Sequence, residues 1–162
     1  MHMRGTPATM SSLTHYVDPL GDARPPSDDD DGGGAVVSVV AQYLASRAQA
    51  AMAAGVPRWA IVLDPGIGFA KTARHNIALL QRGATDAVAA ACDGARFPTL
   101  IGPSRKAFIG AATGGKSPAD RDWGTAAAVT AAVAAGADIV RVHNVAAMAD
   151  VVAVADAMFR AH

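Results

Sequence analysis

Three short stretches hold the residues best able to do chemistry. They are Asp64 in "VLDPG", Ser104-Arg105-Lys106 in "IGPSRK", and Arg141, His143 and Asn144 in "VRVHN". Each follows an aliphatic run. Charges are costly to bury unless they are paired or face a ligand, so polar groups placed at the ends of buried runs point to a site. Other readings of the same residues stand beside this one. Long basic side chains can pack their stems and keep the charge in water, which leaves Arg105 and Lys106 open on "TLIGPSRKAFIG" alone. Asp64 ahead of Pro-Gly also suits a plain turn. His143 could be a satisfied strand-end histidine, Lys71 a solvated loop charge, and Phe69 a residue that packs its own loop.

The elements that must position these residues follow from periodicity. Helical spacing of apolar residues runs over 36–54 and stops at Gly55, as a helix with a glycine at C′ does. Residues 60–66, "AIVLDPG", read as a buried strand entering a loop, and 73–91 as a second amphipathic helix. "TLIGPS" repeats the strand-then-loop pattern, helical stretches cover 124–135 and 146–160, and "ADIVRVHNV" over 137–145 is a third strand. A strand roughly every 40 residues with helices between is the βα alternation of a parallel sheet. In such folds the loops leaving the C-terminal strand ends converge over the sheet. The three polar groups all fall at that edge.

Composition narrows the class. The 162 residues are 51% hydrophobic, with only four Phe, two Trp and two Tyr, so one core must rely on small and aliphatic side chains. Lys plus Arg and Asp plus Glu are 14 each; the basic excess of a nucleic-acid binder is missing. Cys92 is the single cysteine, which excludes an internal disulfide and a cysteine zinc site. No apolar run approaches the roughly 18 residues of a membrane span. Residues 1–10 read as a strand end and loop, and 11–34, with Asp28–Asp31 and Gly32–Gly34, as a flexible acidic and glycine-rich surface loop. An EF-hand beginning at Asp28 fails because Val39 stands at its twelfth position. Residues 110–117, "GAATGGKS", fit the P-loop pattern with Lys116 and Ser117 in the phosphate and magnesium roles. The polar, glycine-broken sequence after them favours a glycine loop between two helical pieces.

"DPGIGFAKTARHN", "IGPSRKAFIG" and "IVRVHNV", in this order and spacing, resemble the last three strand-end motifs of dihydropteroate synthase, and "MHMRGTPATM" resembles its fifth. The resemblance implies an α/β fold, a partial (β/α)₈ barrel made of about the last three βα units plus the end of a fourth, filling residues 35–162 behind the first strand end. It implies folate biosynthesis: 6-hydroxymethyl-7,8-dihydropterin diphosphate joined to p-aminobenzoate with release of pyrophosphate. Asp64 would then be a buried carboxylate on the pterin ring, where two parallel N–H donors suit it. Lys106 would contact the pterin, Ser104 and Phe69 the p-aminobenzoate, and Met1 the pterin pocket. Arg141 and His143 would hold the diphosphate, at the usual phosphate-binding end of such a barrel. Arg105 has no assigned contact, and a structural pairing suits it equally.

The resemblance covers the second half of the family pattern. The asparagine of its magnesium site lies in the other half, so magnesium is expected without a protein ligand in this chain. Asn144 stands where bacterial members carry aspartate, and the spellings around it resemble the plant-type branch. Taken alone, the chain is expected to be inactive or weakly active. The alternatives are a non-catalytic half-barrel acting as an assembly or regulatory partner, and a P-loop nucleotide binder. A homodimer through the late helices and a mitochondrial or cytoplasmic location complete the expectations.

Overall fold

The computed structural model describes residues 1–16, 33–81, 89 and 96–160. Most of the acidic 11–34 segment, much of the C-terminal part of the 73–91 helix, and Cys92 lie outside them. The described helices are α1 (Gly33–Ala53), α2 (Ala73–Gln81), α3 (Ala107–Ala112), α4 (Asp122–Ala134) and α5 (Val145–Phe159). Strands β1 (Leu100–Ile101) and β2 (Ile139–Val140) are short. Three-residue 3₁₀ turns occupy Met10–Ser12, Arg58–Ala60 and Pro118–Asp120.

Glycine sets two of the helix ends. Past α1, Gly55 takes φ +91°, its N–H donates to Met52 O, and the Val56 N–H donates to Ala51 O. Past α4, Gly136 takes φ +87°, with N–H bonds from Gly136 to Val133 O and from Ala137 to Ala132 O. Both are Schellman motifs, which satisfy carbonyls the helix leaves open.

The strand ends pair in chain order. His2 donates its N–H to Asp64 O at 2.8 Å, and Leu63 bridges Thr99 in parallel. β1 pairs with β2 in parallel, Leu100 opposite Ile139 and Ile101 opposite Val140. The expected strand over 60–66 thus contributes a single bridge, because its first residue closes the Arg58–Ala60 turn. Ile61, Leu63 and Ile101 turn into a core shared with Val36, Val40 and Leu44 of α1, Leu79 of α2, and Phe108 and Ile109 of α3. Burial of each such side chain contributes roughly 1.5–3 kcal/mol. A smaller core joins Val129 and Val133 of α4 to Met148 and Ala155 of α5. Side chains alternate across the pleat, so Val62 and Ile139 face the other way and are 44% and 42% exposed. The architecture is an open arc of parallel βα units with helices on one side.

The P-loop arrangement does not form. Gly110 lies inside α3, and Ser117 turns its hydroxyl to Asp120 at 2.6 Å. The segment after Lys116 enters a 3₁₀ turn rather than a helix with free N–H groups.

Candidate active site

Asp64 leaves its strand end half-buried, a correction to the buried carboxylate expected above. Its Oδ1 accepts the Gly66 N–H at 2.7 Å. A carboxylate offers about four acceptor positions, so capacity remains for donors from outside. Gly66, at φ +71°, passes so close to His2 that a Cβ there would lie 1.8 Å from His2 O. Gly68, at φ +80°, makes room for Lys106, whose Cδ would sit 2.8 Å from an added Cβ.

That opening lets Lys106 cross to the neighbouring loop. Its Nζ stands 4.0 Å from the centroid of the Phe69 ring, a cation–π contact. Burial first, then the Arg141 charge, holds Lys106 below the usual lysine range, and the Asp64 charge opposes both. Asp64, Phe69, Lys106 and Arg141, from three strand ends, therefore share one electrostatic neighbourhood. The Arg141 guanidinium lies along the backbone of Gly102, where a Cβ would meet Nε at 3.3 Å.

Ser104 and His143 form a second pair. Ser104 Oγ lies 2.8 Å from His143 Nδ1 and accepts the His143 N–H at 3.2 Å. With the serine proton given to Nδ1, the imidazole carries its own proton on Nε2. Gly102, Ser104, Arg141, Val142 and His143 line a cavity of about 160 Å³. Arg141 and His143 are exposed while Ser104 is buried, so a buried hydroxyl steers donors that face outward. Met1 lies at the edge of the arc, 54% exposed.

Arg105 belongs to the framework. It adopts φ +59°, and its guanidinium meets Asp122 with Nε to Oδ1 at 3.1 Å and Nη2 to Oδ2 at 3.4 Å. Asp122 also accepts Asn144 Nδ2 at 3.0 Å, and hydrogen bonds from Arg105 and Asn144 hold its carboxyl below the usual range. Thr125 Oγ1 accepts the Arg105 N–H, while Arg121 Nη1 donates to the carbonyls of Arg105 and Lys106. The first turn of α4 thereby clamps the Ser104–Lys106 corner. Asn144 Oδ1 accepts the Ala147 N–H as the cap of α5.

The residues that sequence reading missed lie behind the Asp64 loop. His2, Lys71, Asn76 and Tyr16 are all buried, and Lys71, for which a solvated loop charge was one reading, is only 9% exposed. No local signal marks them, because the partners come from distant segments.

Among the described residues no group of three or more His, Cys, Asp or Glu lies where it could hold a metal ion.

A parallel βα arc with a carboxylate and converging cationic donors at its C-terminal edge is the arrangement of a barrel-type protein. The chain belongs to the pterin binding enzyme family, whose model matches residues 1–143. It is 43% identical over 160 residues to a dihydropteroate synthase of Synechocystis, covering 99% of this chain and 47% of that protein. It is 38% identical over 169 residues to a mitochondrial folate synthesis bifunctional protein of Arabidopsis thaliana, covering 99% and 27%. Among solved structures, dihydropteroate synthase of Thermus thermophilus in complex with 6HMPPP superposes with TM-score 0.76 at 37% identity, over 98% of this chain and 53% of that one. The same enzyme in complex with 4-aminobenzoate gives 0.74 at 37%, over 95% and 53%. The chain spans about half the length of the dihydropteroate synthases it matches. The fold is accordingly part of a (β/α)₈ barrel, as the sequence predicted.

Proposed function

We propose that this chain supplies the C-terminal half of a dihydropteroate synthase site, for the condensation of 6-hydroxymethyl-7,8-dihydropterin diphosphate with p-aminobenzoate. The convergence of Asp64, Phe69, Lys106 and Arg141 at one strand edge carries this reading. Asp64 accepts paired N–H donors of the pterin edge, which orients the ring. Lys106 contacts the pterin, and Phe69 and Ser104 bound the p-aminobenzoate side. Met1 adds an apolar contact. Arg141 and the Nε2–H of His143 hold the diphosphate. As its bond to the pterin methylene carbon breaks, the departing pyrophosphate takes the electron pair, and these fixed donors stabilise the growing charge. The amine of p-aminobenzoate then forms the new C–N bond and releases a proton. Magnesium assistance rests on family likeness alone, and no step here uses it.

The open face of the arc, with Val62 and Ile139 exposed, favours a second reading in which this half-barrel assembles with another polypeptide segment and does not turn over by itself. A homodimer through α4 and α5 and a mitochondrial or cytoplasmic site of action accompany the proposal. No described helix is long and apolar enough to cross a membrane.

The deciding experiment combines pterin diphosphate binding with a search for dihydropteroate in the same mixture. Binding that falls about a hundredfold in Asp64→Asn supports the site. Equal binding by wild type and Asp64→Asn overturns it. Detectable turnover by the chain removes the non-catalytic reading.

A further inference from the structure

The loop from Asp64 to Thr72 is held from behind by a polar cluster that no ligand in the cleft would touch. Lys71 Nζ lies 3.0 Å from His2 Nδ1, 3.1 Å from Gly66 O and 3.0 Å from Phe69 O. An ammonium has three N–H donors and no acceptor, so these three neutral partners use it completely. Tyr16 donates its hydroxyl to Ala70 O at 3.0 Å. Asn76 accepts the Gly68 N–H at 2.6 Å and donates to Thr72 O at 2.7 Å. Five backbone groups of one short loop are thus tied to buried side chains. The partners come from far away: His2 is 69 residues from Lys71 and Tyr16 is 54 from Ala70. Rings seal the cluster, with His2 edge-on to Tyr43 at 5.0 Å and Tyr16 edge-on to His75 at 5.1 Å.

We infer that Lys71 is a positioning residue, whose side-chain nitrogen, shared among His2, Gly66 O and Phe69 O, fixes the loop that presents Asp64 and Phe69 to the ligand. The lock stands on geometry alone; its effect on a pterin rests on the function proposed above. A neutral amine keeps two N–H donors for Gly66 O and Phe69 O and gains a lone pair. It can then meet His2 only if the imidazole proton moves from Nε2 to Nδ1, so amine protonation and histidine tautomer are coupled. The charges acting on Nζ are Asp64, which favours the ammonium, and Arg4 and Lys106, which oppose it. His2 is neutral near pH 7, held down to about 4 by burial and by the Lys71 and Arg4 charges. Tyr16, raised by burial, is also neutral there, with His75 beyond it. Burial, the largest influence, brings Lys71 down to about 7, where the proton is easily exchanged.

The test is nitrogen NMR of the His2 ring, with amide exchange of Gly66 and Gly68, in the full chain without ligand on both sides of neutrality. Wild type, Lys71→Met and His2→Phe are compared, and each is then titrated with 6-hydroxymethylpterin. The wild-type ring should pass from the Nε2–H to the Nδ1–H tautomer as Lys71 deprotonates. Both loop amides should stay protected in wild type on both sides of neutrality, whereas in Lys71→Met they should exchange about tenfold faster throughout. His2→Phe removes the acceptor without touching Lys71 and should loosen the same amides, so an unfolded Lys71→Met does not end the test. Pterin affinity should fall about tenfold in each folded variant. Loop amides equally protected in every folded variant, or wild-type amides that lose protection as the ring changes tautomer, overturn the lock. Pterin binding equal in wild type and variants overturns the positioning role. A chain that shows the lock but binds no pterin supports the lock and refutes the function proposed for the site.

Discussion

Between Ser104 and Lys106 the backbone passes through a left-handed residue, and neighbouring cations leave it in different directions. Arg105 at φ +59° carries a cost of order 1 kcal/mol for a non-glycine residue. Its paired bonds to Asp122 and the Thr125 hydroxyl offset that cost. Arg105→Ala keeps the unfavourable φ and loses the pairing, so thermal unfolding should show destabilisation of about 1–2 kcal/mol. Lys106, free of that duty, reaches Phe69 through the gap at Gly68. Ser104 acts at the same scale. Ser104→Ala releases the Nδ1 side of His143 and should weaken pterin diphosphate binding about tenfold. Binding of the pterin alcohol should stay unchanged, and titration with both ligands checks the difference.

At the scale of elements, sequence periodicity located α1, α4 and α5 to within a few residues, and all three polar strand ends. It did so because amphipathic spacing, a glycine at C′ and the stop at Asp-Pro or Gly-Pro are local properties. Strand length was not legible. Pairing is decided by neighbours, and the expected run over 60–66 keeps only the Leu63 bridge. The burial of Lys71 was not legible for a related reason: nothing within a turn of it in the sequence hints at His2 or Tyr16. The candidate residues Asp64, Lys106 and Arg141 do lie together, but the clamp of Arg121, Asp122 and Thr125 on their corner was invisible without the fold. The loop that carries Asp64 also depends on an absent side chain. Gly66→Ala would drive a methyl into His2 O and should cost about 2 kcal/mol or more. Loss of the slow His2 amide in hydrogen exchange reports the damage directly.

The whole molecule senses pH through two buried bases. Folded pKa values of about 4 for His2 and about 7 for Lys71 both lie below their ordinary 6.5 and 10.5. The unfolded chain therefore binds more protons in those windows, and stability rises with pH from 4 to 6.5 and again from 7 to 10.5. At about 1.4 kcal/mol for each tenfold in proton affinity, the Lys71 contribution is bounded at about 5 kcal/mol. Denaturant titration of wild type against Lys71→Met should show a smaller alkaline rise in the variant, where Lys106 still contributes. The His2 amide, bonded to Asp64 O, links the first residues of the chain to the backbone of Asp64. Weakly held end segments fray first, and a ligand that steadies Asp64 should lower the population of frayed chains. Linkage is reciprocal: whatever pins the first residues from outside, a neighbouring strand or a partner, raises ligand affinity by the same factor without touching the ligand.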